Sequence, residues 1–193
     1  VRFVAKPDRS VAEKEEPIFE YTVYADVTDT TGETRSAQQT TRIGYTALQA
    51  TVTADEWQTV DQAVQLSIET STLDGEGQQA EGSLKVYGLK PPSSVHRAPL
   101  DGFPQPRLPQ PSNEEEPEPD LSKPTSWPLG DVVAERGFTT DPEGKATYSF
   151  DLDAGVYRVV LETQDRFGNK VTARLPLQVY DPDAKQFDTK IPY

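Results

Sequence analysis

Asp-x-x-Gly segments are the most regular pattern in this chain that could support chemistry, and the three considered as calcium sites begin at Asp29, Asp141 and Asp165. A calcium site needs about six or more converging oxygen ligands, and none of the segments has the alternating acidic residues of an EF-hand loop. An Asp that opens a turn caps the backbone, and a Gly three residues later supplies a positive φ angle. We therefore predict that all three are turns. Asp181 and Asp183 flank a proline and are the better ion candidates, although we favour an interdomain linker there.

Nucleophilic catalysis has little material in this sequence. The chain contains no Cys and one His, His96, so cysteine nucleophiles and thiolate zinc sites are excluded, and a Ser-His-Asp triad could form only around that residue. His96 stands at the entrance of a proline-rich stretch, which is a poor place to hold a nucleophile and an acid rigidly. We predict an exposed loop histidine and a protein that is not an enzyme, with no catalytic, cofactor-binding or metal-binding residue, no cofactor and no small-molecule substrate.

Two further features could bind a ligand. Trp57 and Trp127 could form a platform on which a sugar stacks, as exposed aromatic residues do in carbohydrate-binding modules, although each is more often an edge of a core. The segment from Pro106 to Pro109 matches the minimal PxxP motif, but a match is expected by chance in a stretch so rich in proline.

The charge and hydropathy of the chain argue against other classes of function. Its 32 acidic and 19 basic residues give a net charge of -13. Binding to nucleic acid or to an acidic membrane surface is therefore disfavoured, because both need a basic face. No run of about 18 apolar residues is present, so we expect no segment that spans a bilayer.

An internal repeat indicates which elements carry these residues. Residues 21–43 and 157–179 share one pattern across 23 positions without a gap, at an offset of 157 − 21 = 136. In each copy, a run with apolar residues at alternating positions leads into an Asp-x-x-Gly turn, as in a β-hairpin. The repeat predicts two like domains with a structural role. The identical pairs are Tyr21/Tyr157, Val23/Val159, Asp29/Asp165, Gly32/Gly168 and Ala37/Ala173.

Alternation and turn signals predict two domains of unequal completeness. Residues 1–45 contain strands at 1–6, 18–28 and 34–45, which do not complete a sandwich. We interpret residues 1–45 as the C-terminal part of one domain, and the start at Val1 as a sign that the chain is a piece of a larger protein. Residues 46–182 form a complete domain, and residues 183–193 a linker to the next. The seven strands predicted for the complete domain are 46–54, 63–72, 81–89, 131–139, 145–152, 155–163 and 169–180.

Seven short strands joined by polar turns predict an all-β fold, an immunoglobulin-like sandwich of two antiparallel sheets. The stretch 152–157 sharpens this prediction because it resembles a tyrosine corner, in which the hydroxyl of a Tyr at the start of a strand bonds to nearby backbone. Here that residue is Tyr157.

The insertion at residues 90–124 has a different composition. It contains ten of the seventeen prolines and ends in the acidic run that includes Glu114 and Asp120. Such a segment cannot bury enough apolar area to offset its ordering entropy, so we predict extended, solvent-facing backbone that proteases cut. Leu89, Leu100, Phe103 and Leu108 are candidates for attaching parts of it to the sandwich.

Several short motifs spread over almost the whole chain resemble bacterial alpha-2-macroglobulin-like proteins. The motifs are Tyr21-Thr22-Val23 with Ala25-Asp26-Val27-Thr28-Asp29, Gly32-Glu33-Thr34-Arg35, Val86-Tyr87-Gly88-Leu89, Trp127 with Gly130, Phe138-Thr139-Thr140-Asp141 with Gly144-Lys145-Ala146, and Gly155-Val156-Tyr157-Arg158 with Asp165 and Gly168-Asn169. The resemblance implies macroglobulin-type sandwich domains in tandem, an exported protein of the periplasm or cell envelope, and a scaffold that traps proteases after a bait segment is cut. In animal members the bait is also an insertion in such a domain, which makes residues 90–124 a candidate analogue. The thioester of active members needs a Cys, and this chain has none.

These observations predict a non-catalytic scaffold segment of a protease-trapping protein, a protease inhibitor. Its partners would be neighbouring macroglobulin domains of the same protein and proteases. The alternative is an immunoglobulin-like adhesin or carbohydrate-binding module of a cell-surface protein, and a hydrolase is a more distant third.

Overall fold

The structure is a computed structural model that describes residues 4–8, 10–11, 17–94, 96 and 119–185. Within these residues the chain forms ten β-strands and one short 3₁₀ helix at Pro124–Ser126. The strands are β1 (Ile18–Thr28), β2 (Thr34–Gly44), β3 (Gln49–Thr53), β4 (Gln58–Thr59), β5 (Val64–Ser71), β6 (Glu81–Leu89), β7 (Leu129–Thr139), β8 (Lys145–Phe150), β9 (Gly155–Gln164) and β10 (Lys170–Tyr180).

The ten strands form three sheets. Strands β1 and β2 pair only with each other, in the order β1-β2. The other two sheets have the orders β4-β10-β9-β6-β7 and β3-β5-β8. All pairings are antiparallel except the short parallel contact between β4 and β10. The predicted all-β fold with antiparallel sheets is therefore confirmed.

The predicted strands agree with the structure with one exception. Nine of them lie within three residues of the observed bounds at each end, and β6 has the predicted bounds. The prediction of a strand at 1–6 is wrong for residues 4–6, which form no strand, and residues 1–3 lie outside the described part of the chain. A strand needs a neighbour to satisfy its backbone groups, and the described residues offer none there. Strand β4 was not predicted, because a strand of two residues is too short to show an alternation of apolar and polar side chains.

The five-stranded and three-stranded sheets together form the larger unit of the chain, and its hydrophobic core lies between them. Alternate residues of β5, β6 and β9 point inward from the two sheets, as the sequence pattern predicts. Val64, Leu66, Leu84, Val159 and Leu161 each retain 0% exposure. The prediction of which residues face inward is confirmed for these strands.

The tyrosine corner is confirmed at Tyr157. Its hydroxyl donates to the carbonyl oxygen of Asp153 at 2.8 Å, and its ring lies in the core at 7% exposure. Burial, followed by the nearby charge of Asp153, raises the pKa of Tyr157. The hydroxyl therefore stays a neutral donor, and the bond fixes the chain where it enters β9.

The hydrogen bonds that connect β1–β2 to the larger unit include those of two backbone amides. The amide of Ala47, in the connection from β2 to β3, donates to Asp165 Oδ2 at 2.9 Å. The amide of Arg42, near the end of β2, donates to Asp74 Oδ1 at 3.2 Å. Both bonds lie at the base of the β1–β2 hairpin, so most of its length projects away from them.

Candidate functional site at the base of the long loop

The connection between β6 and β7, residues 90–128, is the longest loop of the chain, and its base is well defined. The last residue of β6, Leu89, pairs with the first residue of β7, Leu129. The amide of Lys90 then donates to the carbonyl oxygen of Pro128 at 3.0 Å, which adds one more rung. The loop therefore leaves and rejoins the sheet at neighbouring positions of one closed hairpin. Residues 95 and 97–118, and with them Leu100, Phe103, Leu108 and the PxxP motif, lie outside the described residues.

Trp127 anchors the returning end of this loop. Its side chain is 0% exposed and packs with Leu89, Val156 and the partly buried Leu121. Its indole Nε1 donates to the carbonyl oxygen of Leu121 at 2.9 Å. Val156 alternates with the inward-facing Tyr157, so this small cluster covers the outer face of the five-stranded sheet. The hypothesis of a sugar-stacking platform is wrong for Trp127, because both faces of its ring are occupied; the prediction that Leu89 attaches the loop to the sandwich is confirmed.

Arg158 binds the returning end of the loop next to the cluster around Trp127. Its Nη2 lies 2.6 Å from the carbonyl oxygen of Thr125, 3.1 Å from that of Trp127 and 3.2 Å from that of Pro124. One guanidinium nitrogen is thus shared among three carbonyls around a 3₁₀ helix, where helix ends leave such oxygens without internal partners. Partial burial, with repulsion from Arg174, lowers the pKa of Arg158, but a guanidinium is so basic that it remains charged.

The segment that precedes Trp127 is ordered by its own side chains. Asp120 accepts hydrogen bonds from the amide of Ser122 at 3.0 Å and from its hydroxyl at 2.6 Å. These bonds lower the pKa of the Asp120 carboxyl. Ser126 Oγ also donates to the carbonyl oxygen of Asp120. The return segment, residues 119–127, is therefore a compact turn and not extended polyproline, which corrects the prediction for this end of the insertion.

The three Asp-x-x-Gly segments are turns, as predicted. Gly32, Gly144 and Gly168 have φ angles of 89°, 78° and 85°. In each turn the Asp carbonyl accepts from the Gly amide, and an Asp carboxylate oxygen accepts from the amide four residues after the Asp. The carboxylates cap backbone N–H groups, which accounts for the spacing without an ion.

Asp165 differs from the other two turn aspartates because it is buried, with 6% exposure. It accepts from the amides of Phe167 and Asn169 at 2.9 Å and from Asn169 Nδ2 at 3.0 Å, in addition to Ala47. Burial acts to raise its pKa, but the hydrogen bonds from Ala47, Asn169 and Phe167 outweigh this, so that the pKa is lowered. Asp165 therefore links the connection between β2 and β3 to the turn of the β9–β10 hairpin.

The remaining candidates from the sequence are His96, Asp181 and Trp57. His96 is exposed, as predicted, and its Nε2 lies 3.3 Å from Ser94 Oγ; among the described residues no carboxylate hydrogen-bonds to this imidazole. Asp181 accepts from the amide of Asp183 at 2.9 Å, which is a turn cap. Trp57 is 78% exposed, and its ring lies 5.7 Å from that of Tyr180 at an angle of 40°. Glu56, Trp57, Pro176, Gln178 and Tyr180 line an open groove of about 330 Å³.

Arg158 is the main functional residue that the sequence analysis missed. The alternation of β9 placed Arg158 on the outer face, but the sequence analysis did not predict that this face is covered at one end. A signal was present in the valines on either side of it in that alternation, Val156 and Val160, because a solvent-facing row seldom carries two β-branched apolar residues beside an arginine.

No protein-family model matches this chain. A comparison with curated proteins likewise finds no match. Within the described ranges, helices of the length and hydrophobicity that a membrane crossing requires are absent.

Proposed function

We propose that this chain is a non-catalytic scaffold segment of a bacterial alpha-2-macroglobulin-like, protease-trapping protein. In this proposal residues 46–182 form an immunoglobulin-like macroglobulin domain, and residues 1–45 form the C-terminal part of another. Its location would be the periplasm or cell envelope, and its partners would be neighbouring domains and proteases. Since the chain has no Cys, any thioester would lie elsewhere in the protein.

The observation that carries the proposal is the closed base of the long loop. A scaffold that responds to proteases needs a segment that can be cut and a frame that survives the cut. Lys90, Trp127 and Arg158 fasten both ends of the loop to paired strands. The strands β6 and β7 are held together by their own hydrogen-bonded ladder, from the pair Glu81–Thr139 to the pair Leu89–Leu129. The frame therefore does not depend on the continuity of the loop.

Limited proteolysis tests this proposal. Thermolysin at a low ratio to the chain should cut first between residues 92 and 118, and the two fragments should remain associated with the melting temperature nearly unchanged. Mass spectrometry locates the cuts, and size-exclusion chromatography shows whether the fragments separate. First cuts within 163–171, or separation of the fragments, would contradict the proposal.

Variants of the clamp make the experiment sharper. Arg158→Ala should extend the early cuts into residues 119–127, because three carbonyls lose their shared donor and the return segment opens. Arg174→Ala is the matched control, since Arg174 is an exposed arginine whose partner across the ladder is Val160, on the outer face of the same sheet. Equal cutting of both variants would show that the clamp does not hold the loop.

The alternative, a carbohydrate-binding or adhesin module, has one observation in its favour. Trp57 presents an exposed ring beside Tyr180, and a carboxylate and an amide lie within the same groove. Aromatic faces with a few polar groups are typical of sugar sites. Binding on a glycan array that is lost in Trp57→Ala and kept in Phe167→Ala, an equally exposed aromatic residue at 70% exposure, would support this alternative over the scaffold.

A further inference from the structure

The face of the β1–β2 hairpin that carries Tyr21 and Val23 is equivalent, by the repeat, to the face that the β9–β10 hairpin buries in the core. By the repeat, Tyr21, Val23 and Ala25 of β1 occupy the positions of Tyr157, Val159 and Leu161 of β9. The β9 residues are buried at 7%, 0% and 0% exposure, whereas Tyr21 is 38% exposed and Val27, on the same face of β1, is 68% exposed. Ala25 is also exposed and Val23 is half-buried, so one hairpin leaves largely open to solvent the row that the other buries in the core.

The outer edge of β1 is also open. Strand β9 pairs with β10 on one side and with β6 on the other, over Gly82–Gly88. Strand β1 pairs with β2 along its whole length, and within the described ranges it has no second neighbour. A long, unpaired edge strand with apolar side chains is a template for another strand.

The tyrosines at the start of the two hairpins both bond to upstream backbone, but over different separations. Tyr157 donates its hydroxyl to the carbonyl oxygen of Asp153, four residues back, and Tyr21 donates to that of Lys6, fifteen residues back, each at 2.8 Å. The bond of Tyr157 belongs to the crossing of the chain between two packed sheets. The bond of Tyr21 holds the N-terminal segment against the same face of β1.

The two strands of the hairpin differ in what they offer. The inward positions of β10 are all apolar, from Val171 to Val179, but those of β2 include Arg35, Gln39 and Thr41. Burial of these three side chains without partners would be unfavourable. The surface therefore consists of the edge of β1 and its apolar row, and not of the face of β2.

We infer that β1 is a docking surface for a β-sheet, one strand of which pairs antiparallel with its open edge while a facing sheet covers Tyr21, Val23 and Val27. The occupant has the chemistry of residues 46–154, the part of the complete domain that encloses β9. A second copy of the hairpin packed face to face would cover the row but leave the edge of β1 unpaired, whereas residues 46–154 contain both the strand β6, which pairs antiparallel with β9, and the facing sheet β3-β5-β8. The inference depends on the partial-domain reading within the proposed function, but not on any role for proteases.

A fusion protein tests the inference directly. A second copy of residues 46–154 is joined to Phe19 of the chain, because Phe19 and Gly155 are equivalent positions of the repeat. Hydrogen–deuterium exchange of the β1 amides should slow at least about tenfold relative to the chain alone. Val23→Lys should restore fast exchange because it places a charge in the new core, whereas Tyr24→Lys, on the opposite face, should not.

The chain without the fusion provides a second measurement. Val23→Lys should lower its melting temperature only slightly, because Val23 is half-buried, while Val159→Lys, the equivalent substitution in β9, should abolish folding. Loss of folding in Val23→Lys as well would mean that the chain already covers this face, and the inference would be wrong. A fusion with a folded C-terminal domain but unprotected β1 would also overturn it, and dimerisation abolished by Val23→Lys would point to a second copy instead. Loop proteolysis is a separate readout, so either proposal can fail alone.

Discussion

The two copies of one hairpin, β1–β2 and β9–β10, have the same local structure and opposite surroundings. Each has an Asp-x-x-Gly turn with a glycine at positive φ, a full antiparallel ladder and a tyrosine bonded to upstream backbone. Only β9–β10 lies within a packed sandwich. The comparison shows that side-chain alternation and turn chemistry are enough to specify a hairpin, whereas burial depends on what the rest of the chain packs against it.

The turn aspartates show the same contrast on a smaller scale. Asp29 accepts from the amide and hydroxyl of Thr31 and from the amide of Glu33, all within its own turn. Asp165 makes the equivalent turn contacts and also binds Ala47, 118 residues away. The same residue type is therefore a local cap in one hairpin, and in the other it also binds a segment that is distant along the chain.

Substitution of the paired tyrosines should give the largest difference. Tyr157→Ala removes a buried ring and a fixed hydroxyl, so it should lower the free energy of unfolding by about 3 kcal/mol or more. Tyr21→Ala should lower it by about 1 kcal/mol or less, because that ring is partly exposed. Urea unfolding followed by circular dichroism measures both. Equal losses would mean that the two hairpins are equally part of the core.

Substitution of the paired aspartates should have the next largest effect. Asp165→Ala leaves the partly buried amides of Ala47, Phe167 and Asn169 without their acceptor, which should cost about 2 kcal/mol. Asp29→Ala should have a clearly smaller effect, since water replaces the lost acceptor at an exposed turn. Exchange of the Ala47 amide should accelerate only in Asp165→Ala. Acceleration of that amide in Asp29→Ala would contradict the assignment of Asp165 as the connector.

The pH dependence of stability should separate Asp165 from a neutral substitute. Its folded-state pKa is lowered, so the carboxylate contributes stability that is present above the unfolded value of about 3.9 and is lost as the pH falls through the folded pKa. The stability difference between the wild type and Asp165→Asn should therefore shrink as the pH is lowered from about 6 to below 4. A difference that stays constant over this range would show that the charge is not what stabilises the turn.

Substitution of the paired glycines should have the smallest and most equal effect. Gly32 and Gly168 have positive φ angles, and a Cβ added to either would meet no atom within 4 Å. Alanine should therefore cost only backbone strain, about 1 kcal/mol at each position. Thermal melts compare the two variants with Gly144→Ala, where a Cβ would lie 1.9 Å from the carbonyl oxygen of Thr70 and should be far more damaging. Unequal costs at Gly32 and Gly168 would show that the turns are not equivalent.

The sequence alone predicted the features that depend on neighbours along the chain. Alternation located nine strands and the inward rows of β5, β6 and β9, because a two-residue period follows from backbone geometry. Asp and Gly predicted three turns for an equally local reason, and Tyr157 was placed in its corner by the residues just before it. The fold class followed from these elements.

Only the tertiary structure decided which side chains are covered. Trp57 and Trp127 were equivalent candidates in the sequence. In the structure Trp57 is exposed, whereas Trp127 is fully buried at the end of the return segment that Arg158 holds. Tyr21 and Tyr157 follow the same pattern and differ in burial for the same reason. Local periodicity determines the direction in which a side chain points, but the free energy gained by burying it depends on atoms that are distant along the chain, so no single stretch of sequence could have decided it.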